Sequence, residues 1–402
     1  MNILMLLFKD IHLDARVQRE AKALAEAGYK VDIACLRERD EDPVQIHPDV
    51  HYIRISLTTK RIKRAVQSPS EAGKQTHPLL KFFRTPIAKL IKDIYAQWEY
   101  MQKVYGLMSE KKYVVIHCHD LNTLPAGVYL KRKSREIKLV YDSHELFNEM
   151  VGKNKIERWV GYQLEERLIR LVDHLITVNP YVEKFFGDRY GDIPSTVIQN
   201  TPIWEDFEKP PKNYWRERYN IDKDEVILLY QGGLTPQRGL EECIDAMLML
   251  PDRYKFILLG EGPLRNRLEV LVKHKGLDDR VFFHEPVPPT EILKLTSQAD
   301  IGLVMYKNTC LNNYMSTPNK IFEYFLSGIP TVASDHPGKR YIVQELGTGV
   351  CVEETAEAIS QGILNVMSDY EKYRNYCLVN RDKYTWSMEK QKLIVMYREL
   401  WC

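Results

Sequence analysis

One stretch of the chain has the residue types and spacing to do chemistry: Ser316-Thr-Pro-Asn-Lys-Ile-Phe-Glu-Tyr-Phe-Leu-Ser-Gly-Ile-Pro-Thr-Val-Ala-Ser-Asp335. It reads as a helix built to receive a phosphate and followed directly by a buried strand. Ser316 or Thr317 can cap the helix, Pro318 suits the first helical position, and Gly328 then Pro330 end it. The free N–H groups at such a start, with the positive end of the helix dipole behind them, form an anion site together with Asn319. Lys320 puts a full positive charge in the first turn, where an ordinary helix favours an acid. Glu323 is set back from that end, where a carboxylate can accept hydrogen bonds from a sugar diol. A nucleoside diphosphate offers both groups.

Further candidates lie at the ends of predicted strands. The first such turn, Phe8–Glu20, lacks the GxGxxG fingerprint of a dinucleotide site, which disfavours hydride transfer. It places Asp14, Arg16 and Arg19 at a helix start. There Arg16 reaches an anion across a cleft, or the group is only a cap with surface salt bridges. Val114-Val-Ile-His-Cys-His-Asp-Leu-Asn122 presents His119 and Asp120 at a strand end, while His117 falls inside the apolar run and reads as a core histidine. Tyr141-Asp-Ser-His-Glu145 brings His144 and Glu145 to the same edge. A neutral imidazole there can hydrogen-bond a sugar hydroxyl without acting as a base.

In the second half, Tyr230–Gly239 carries Gly232 and Gly233, which permit close backbone approach to phosphate, and Arg238, whose guanidinium suits bidentate contact. The P-loop spacing is absent. Gly260 and Gly262 turn off the next strand, and Glu285–Val287 form an irregular segment whose main chain can read a base.

The elements that position these residues are short Val/Ile/Leu-rich runs alternating with helical patterns. The first half has Ile3–Phe8, Val31–Cys35, Tyr52–Leu57, Val114–His117, Leu139–Tyr141 and Leu175–Val178. The second has Val226–Tyr230, Tyr254–Leu259, Val281–His284, Ile301–Met305, Thr331–Ala333 and Val350–Val352. Continuous apolar strands separated by helices predict an α/β fold with two Rossmann-like doubly wound domains facing a central cleft. The 402 residues suit two such domains. The boundary is expected near Val197–Pro202, giving 1–199 and 200–385, with an amphipathic helix at 386–402 packing back on the first domain.

The net charge of +2 argues against a general nucleic-acid binder. Seven scattered cysteines without a CxxC pair fit a reducing compartment, and no metal-ligand cluster is readable. The short N-terminal apolar run predicts neither a secretory leader nor a membrane span, so a cytoplasmic protein is expected. Between Thr58 and Lys92, nine Lys and Arg residues face Glu71 alone, interleaved with Leu79, Leu80, Phe82, Phe83, Ile87, Leu90 and Ile91. That composition suits contact with an anionic membrane surface, or else a solvated lysine-rich helix and its preceding loop.

Taken in order, the motifs DARVQRE, HCHD with YDSHELF, VIQNTP, YQGGL…RGL, LLGEGP, VFFHEPVPPTEI and PNKIFEYFLSGIPTVASD resemble glycosyltransferase family 4, the retaining nucleotide-sugar transferases of GT-B fold. The resemblance covers nearly the whole chain. It implies that Glu323 is the second acid of the family's E-x7-E pair and holds the donor ribose. Met315 stands in the place of the first acid, which leaves Asn312, Asn313 or Tyr314 for the sugar. It implies that Arg238 takes the place of the family's phosphate lysine and Gly233 that of its arginine, with Lys320, Arg16 and the helix start compensating. His119 matches the histidine beside the donor sugar.

The expected catalytic set is therefore His119, Arg238, Lys320 and Glu323. The donor nucleotide is expected on Gly232, Gly233, Gly260, Gly262, Glu285, Val287 and Ser316–Lys320, and the sugar or acceptor on Asp14, Arg16, Asp120, His144, Asn312 and Tyr314. The expected reaction moves a sugar from a UDP- or GDP-sugar to a glycan or lipid-linked acceptor in cell-surface polysaccharide or glycoconjugate synthesis, with no metal or cofactor. A nucleotide-sugar 2-epimerase of the same shape and a non-catalytic nucleotide-sugar binder are the alternative readings.

Overall fold

A computed structural model describes residues 1–58, 86–109, 111–204 and 213–401. Most of the basic run between Thr58 and Lys92, and the proline-containing stretch at 208–211, lie outside the described residues. Two parallel sheets organise the rest. The first has seven strands in the order β3-β2-β1-β4-β5-β6-β7: β1 Asn2–Leu7, β2 Lys30–Leu36, β3 Val50–Ile55, β4 Val115–His119, β5 Lys138–Ser143, β6 His174–Thr177 and β7 Ser195–Val197. The second has six in the order β10-β9-β8-β11-β12-β13: β8 Val226–Gln231, β9 Tyr254–Leu259, β10 Val281–His284, β11 Ile301–Val304, β12 Thr331–Ser334 and β13 Gly349–Val352.

Parallel neighbours need a crossover, and helices on both faces bury the strands twice. This is why Ile3–Leu7 and Val226–Tyr230 are apolar at every position and shielded from solvent throughout. Every expected strand overlaps an observed one. β7 was not expected, because three half-buried residues at a sheet edge leave no apolar run to detect. Strand order reverses at β1/β4 and again at β8/β11, the places where open sheets of this kind part to admit ligands.

The carboxyl ends of both sheets face each other. Asn179, just after β6, donates from Nδ2 to the Met315 carbonyl at 2.8 Å and to Thr317 Oγ1 at 3.2 Å. Asn312 Oδ1 accepts from the Leu146 N–H at 2.9 Å, and its Nδ2 donates to Glu145 at 3.2 Å. Gln199 donates to the Tyr341 hydroxyl at 2.6 Å. The Trp386–Glu399 helix crosses back to the first domain, where Trp386, Leu393, Met396 and Tyr397 pack with Ile3, Met5 and Val17.

Candidate active site in the interdomain cleft

The donor half is built around the Asn319–Ser327 helix, whose N-cap is Pro318 and carries no side-chain cap. This corrects the expectation that Ser316 or Thr317 caps it. The Thr317 hydroxyl donates to the Gly338 carbonyl instead, and Ser316 Oγ turns back to the Asn313 carbonyl at 3.4 Å. The first N–H groups, beginning at Asn319, are thereby left for another acceptor.

Three cations gather around one ring beside this helix start. Lys320 Nζ lies 3.8 Å from the Tyr230 ring centre and 5.7 Å from that of Tyr306. Arg238 stacks its guanidinium 3.9 Å from the Tyr306 centre, and Lys339 Nζ lies 5.2 Å from it while donating to the Asn313 carbonyl. Among the described residues no carboxylate forms an ion pair with any of the three. Burial, reinforced by Arg238, pushes both ammonium groups down to about 7. Such a cluster is short of negative charge.

Gly232 and Gly233 are exposed in the same loop. Gly232 has φ +122°, and a Cβ there would come within 3.1 Å of Lys320 Nζ, so glycine leaves the ammonium its room. Gly260 and Gly262 do different work from that expected of ligand-approach glycines. A Cβ at Gly260 would sit 2.1 Å from the Gly232 carbonyl oxygen, and one at Gly262 2.4 Å from that of Leu234. They let two loops touch each other. Glu285 is exposed, 3.5 Å from Arg265, its backbone carbonyl accepting from His284 Nδ1 at 2.7 Å. Val287 packs against the second domain's core.

Glu323 is half-buried and accepts from Gln231 Nε2, while Gln231 Oε1 accepts from the Thr296 hydroxyl at 2.7 Å. Burial raises its pKa, opposed by the Gln231 hydrogen bond and the charges of Lys320 and Arg19. Arg19 comes from the other domain, donating to Asn200. The carboxylate is thus fixed in direction and bears on the cleft from β8's side.

The floor of the first domain is a buried ionic network. Arg16 is the main correction: it does not reach an anion across the cleft. Its guanidinium holds Asp142 at 3.1 and 2.9 Å, donates to the Ile198 carbonyl at 2.8 Å and lies 2.9 Å from Glu20. Arg16 opposes the cost of burial and holds Asp142 well below the usual carboxylate range, while burial pushes Glu20 up to about 8. Asp14 caps its helix by accepting from the Val17 N–H at 3.0 Å and pairs with Lys9 at 2.6 Å.

His144 Nε2 lies 3.0 Å from Asp142 and 3.1 Å from His119 Nδ1. Although burial disfavours charge on His144, Asp142 and Asp120 raise it to about 9. Asp120, in a left-handed conformation at φ +63°, accepts from the His144 N–H at 3.1 Å. Burial and the stacked His117 ring push His119 down to about 3, so it is neutral. An imidazolium at His144 gives its Nε2–H to Asp142 and His119, leaving the His119 proton on Nε2. That atom is buried and has no hydrogen-bond partner among the described residues.

Glu20, His117, His119 and Asp142 offer ligand atoms within 4.8 Å of one another, the donor types of a metal site. Arg16, bonded to one carboxylate and 2.9 Å from the other, already supplies the positive charge there, so the set does not fit a divalent ion.

Asn312 and Tyr314, expected near the sugar, are otherwise engaged. Asn312 bridges the two domains, and the Tyr314 ring packs 5.1 Å from that of His336. Met315 turns away from the donor side and packs with Leu311 on the apolar core of the first domain. Gln231, Tyr306, Lys339 and Asn179 escaped the sequence reading. Lys339 alone left a signal, as one of two adjacent basic residues, Lys339 and Arg340, that follow Pro337 and Gly338 just beyond the end of β12.

Two family models divide the chain between them: Glycosyltransferase Family 4 matches residues 15–201, and Glycosyl transferases group 1 matches 211–378. The chain belongs to glycosyltransferase family 4. Among its relatives in the family, an uncharacterized glycosyltransferase of Methanocaldococcus jannaschii is 26% identical over 323 residues, 75% of this chain and 79% of that one. An alpha-D-kanosaminyltransferase of Streptomyces kanamyceticus is 29% identical over 203 residues, 46% of this chain and about half the length (48%) of that enzyme. Sucrose-phosphate synthase from Thermosynechococcus elongatus superposes with a TM-score of 0.77 at 21% identity, over 100% of this chain and 99% of that one. Anabaena Alr3699/HepE in complex with UDP gives 0.73 at 15% identity, over 99% and 100%. The two facing sheets are the GT-B architecture, and this family member is a glycosyltransferase enzyme.

Proposed function

We propose that this glycosyltransferase moves a hexose from a nucleoside-diphosphate donor to a glycan or lipid-linked acceptor, with retention at the anomeric carbon. The observation that carries the reading is the uncapped Asn319–Ser327 helix start beside Arg238, Lys320 and Lys339, none of which forms an ion pair with a carboxylate among the described residues. Breaking the donor C1–O bond sends negative charge onto the departing diphosphate. Preorganised cations and N–H groups aimed there stabilise the transition state, and losing one typically costs on the order of 10²–10³ in rate. Glu323, held by Gln231, accepts from the ribose hydroxyls, and the His119 Nε2–H donates to a sugar hydroxyl. Retention is attributed to same-face attack, the departing phosphate oxygen taking the acceptor's proton. No metal or cofactor enters this scheme.

The protein is placed on the cytoplasmic side in cell-surface polysaccharide or glycoconjugate synthesis. Among the described residues no helix is long and apolar enough to cross a membrane. Solved forms of Anabaena Alr3699/HepE carry UDP and UDP-glucose, which makes UDP-sugars the first donors to try. A thermal-shift panel of UDP- and GDP-sugars identifies the donor, since a ligand of the native state raises apparent stability. Nucleotide release that requires an acceptor, with an anomerically retained product by NMR, supports the proposal. Donor isomerised without acceptor makes the protein an epimerase, and binding without release under any acceptor makes it a non-catalytic binder.

A further inference from the structure

Glu145 lies two residues beyond the carboxyl end of β5, where the Ser143 hydroxyl donates to its backbone carbonyl at 2.8 Å and fixes the turn. Its side chain is held from the other domain. Asn312 Nδ2 donates to Glu145 Oε2 at 3.2 Å, while Asn312 Oδ1 accepts from the neighbouring Leu146 N–H at 2.9 Å. Among the described residues no other group donates to this carboxylate and no cation forms an ion pair with it, so Oε1 is left open. The other acids of that edge are spent: Asp120 accepts from the His144 N–H, and Asp14 accepts from the Val17 N–H and pairs with Lys9.

The surroundings of Glu145 put it on the wall of the cleft. The residue is exposed, yet burial still raises its pKa, assisted by Asp120 and opposed by His144, Lys9 and Arg238. A group that touches solvent and is nonetheless surrounded by protein lines a concavity. Arg238 belongs to the second domain, so the carboxylate bears on the cation cluster from across the cleft. Tyr306, on which Arg238 stacks at 3.9 Å, lies between: burial pushes its hydroxyl up to about 12, Arg238 opposes this, and Glu145 and Glu323 both add to it. The two acids have different neighbours, Glu323 being near Lys320 and Arg19, and Glu145 near Asp120 and His144. His144 in turn lies 3.1 Å from His119.

A nucleoside-diphosphate sugar runs in the order ribose, diphosphate, hexose. With Glu323 on the ribose and Arg238 on the diphosphate, the hexose comes next, and the open carboxylate at that end is Glu145. We propose that Glu145 is a donor-sugar recognition residue, whose Oε1 accepts hydrogen bonds from hydroxyl groups of the hexose while Asn312 positions it from the opposite domain. This rests on the transferase reading and deepens it. An ionised carboxylate only accepts, so it favours a sugar that presents hydroxyl hydrogens there. The donor loop supplies no acid of its own at this end, since Met315 packs into the first domain's core. Glu145 and Glu323 come from different domains, so hexose and ribose are gripped from opposite sides. The C1–O bond that breaks lies between the two grips.

The test is calorimetric titration of the full chain with UDP, UDP-glucose, UDP-galactose and UDP-N-acetylglucosamine, and with GDP and GDP-mannose, for the wild type, Glu145→Ala and Glu145→Gln. The alanine variant is expected to bind the free diphosphate within about twofold of wild type and to lose about tenfold to a hundredfold for the matching nucleotide sugar, the size of a hydrogen bond to a charged group. Glutamine keeps an oxygen for Asn312 and loses the charge, so its loss is expected on the same ligand and to be smaller. The position is exposed, and both variants should melt with the wild type. Should the alanine variant melt early, the glutamine variant carries the same comparison. Unchanged affinity for the nucleotide sugar overturns the proposal. So does an equal loss for the free diphosphate and its sugar, which would make Glu145 only a strut between the domains. A wild type that binds a free diphosphate but none of these sugars overturns it too and leaves the cation cluster standing, whereas no binding of any ligand brings down the transferase reading as well.

Discussion

Asn179 reaches across the cleft to Met315, its Nδ2 2.8 Å from the Met315 carbonyl, while its Oδ1 caps its own helix by accepting from the Tyr181 and Val182 N–H groups. The same side chain therefore ends a first-domain strand and holds the loop that presents the donor helix. Asn179→Asp keeps the cap and removes the cross-cleft donor. A neutral hydrogen bond contributes about 1 kcal/mol and its unsatisfied partner costs about 1–3. The melting temperature should stay near wild type while kcat/KM for the donor falls about tenfold; full activity in this variant would show that the contact does not position the loop.

Lys320 and Lys339 give the site a pH dependence of definite sign. In the empty site both lose their protons near 7, whereas a bound diphosphate restores them toward 10.5, so binding takes up protons above neutrality. UDP affinity measured by calorimetry should be flat below about pH 7 and fall as pH rises beyond it. Lys320→Met should weaken affinity and reduce the slope. For folding, both pKa values lie below the unfolded one, so the empty protein should gain stability as pH rises from about 7 toward 10.5. An affinity that rises with pH contradicts the cation cluster.

Glu323→Ala removes a carboxylate that burial disfavours and that, among the described residues, Gln231 alone holds by a hydrogen bond. Hydrogen bonds to charged groups contribute about 1.5–3 kcal/mol, so donor kcat/KM should fall at least about tenfold to a hundredfold with no loss of melting temperature. Arg238→Ala should lower turnover by on the order of 10²–10³ in a folded protein. Near-normal activity in either variant breaks the assignment.

Arg16→Met tests the opposite kind of residue. Removing one partner of a buried pair costs about 3–5 kcal/mol, and here it strands Asp142 beside Glu20. A large drop in urea midpoint is expected, with UDP affinity of the folded fraction unchanged. Loss of UDP binding without loss of stability would return Arg16 to the donor site.

What the sequence disclosed follows from how local each signal is. The donor helix and its lysine were readable because Pro318, Lys320, Glu323 and Gly328 sit within one element, and both sheets were readable from uninterrupted apolar runs. Arg16 was misread because its partner Asp142 lies 126 residues away, so nothing near it marks the side chain as spent. Gly260 and Gly262 looked like ligand-approach glycines, yet what they approach is another loop. Met315 looked like a missing acid. Its side chain faces the first domain's apolar core, where a carboxylate would be stranded.

The Trp386–Glu399 helix has a consequence for biosynthesis. Tyr397 fills the first domain's core and bonds His117 at 2.8 Å, although almost the entire second domain separates the two along the chain. The ribosome releases the first sheet long before it makes the piece that closes it. At about 5–20 residues per second, the wait across the second domain is on the order of ten to forty seconds. During that interval the face of Ile3, Met5 and Val17 lacks its cover, and a chaperone that binds apolar surface has a defined window and a defined patch on the nascent chain.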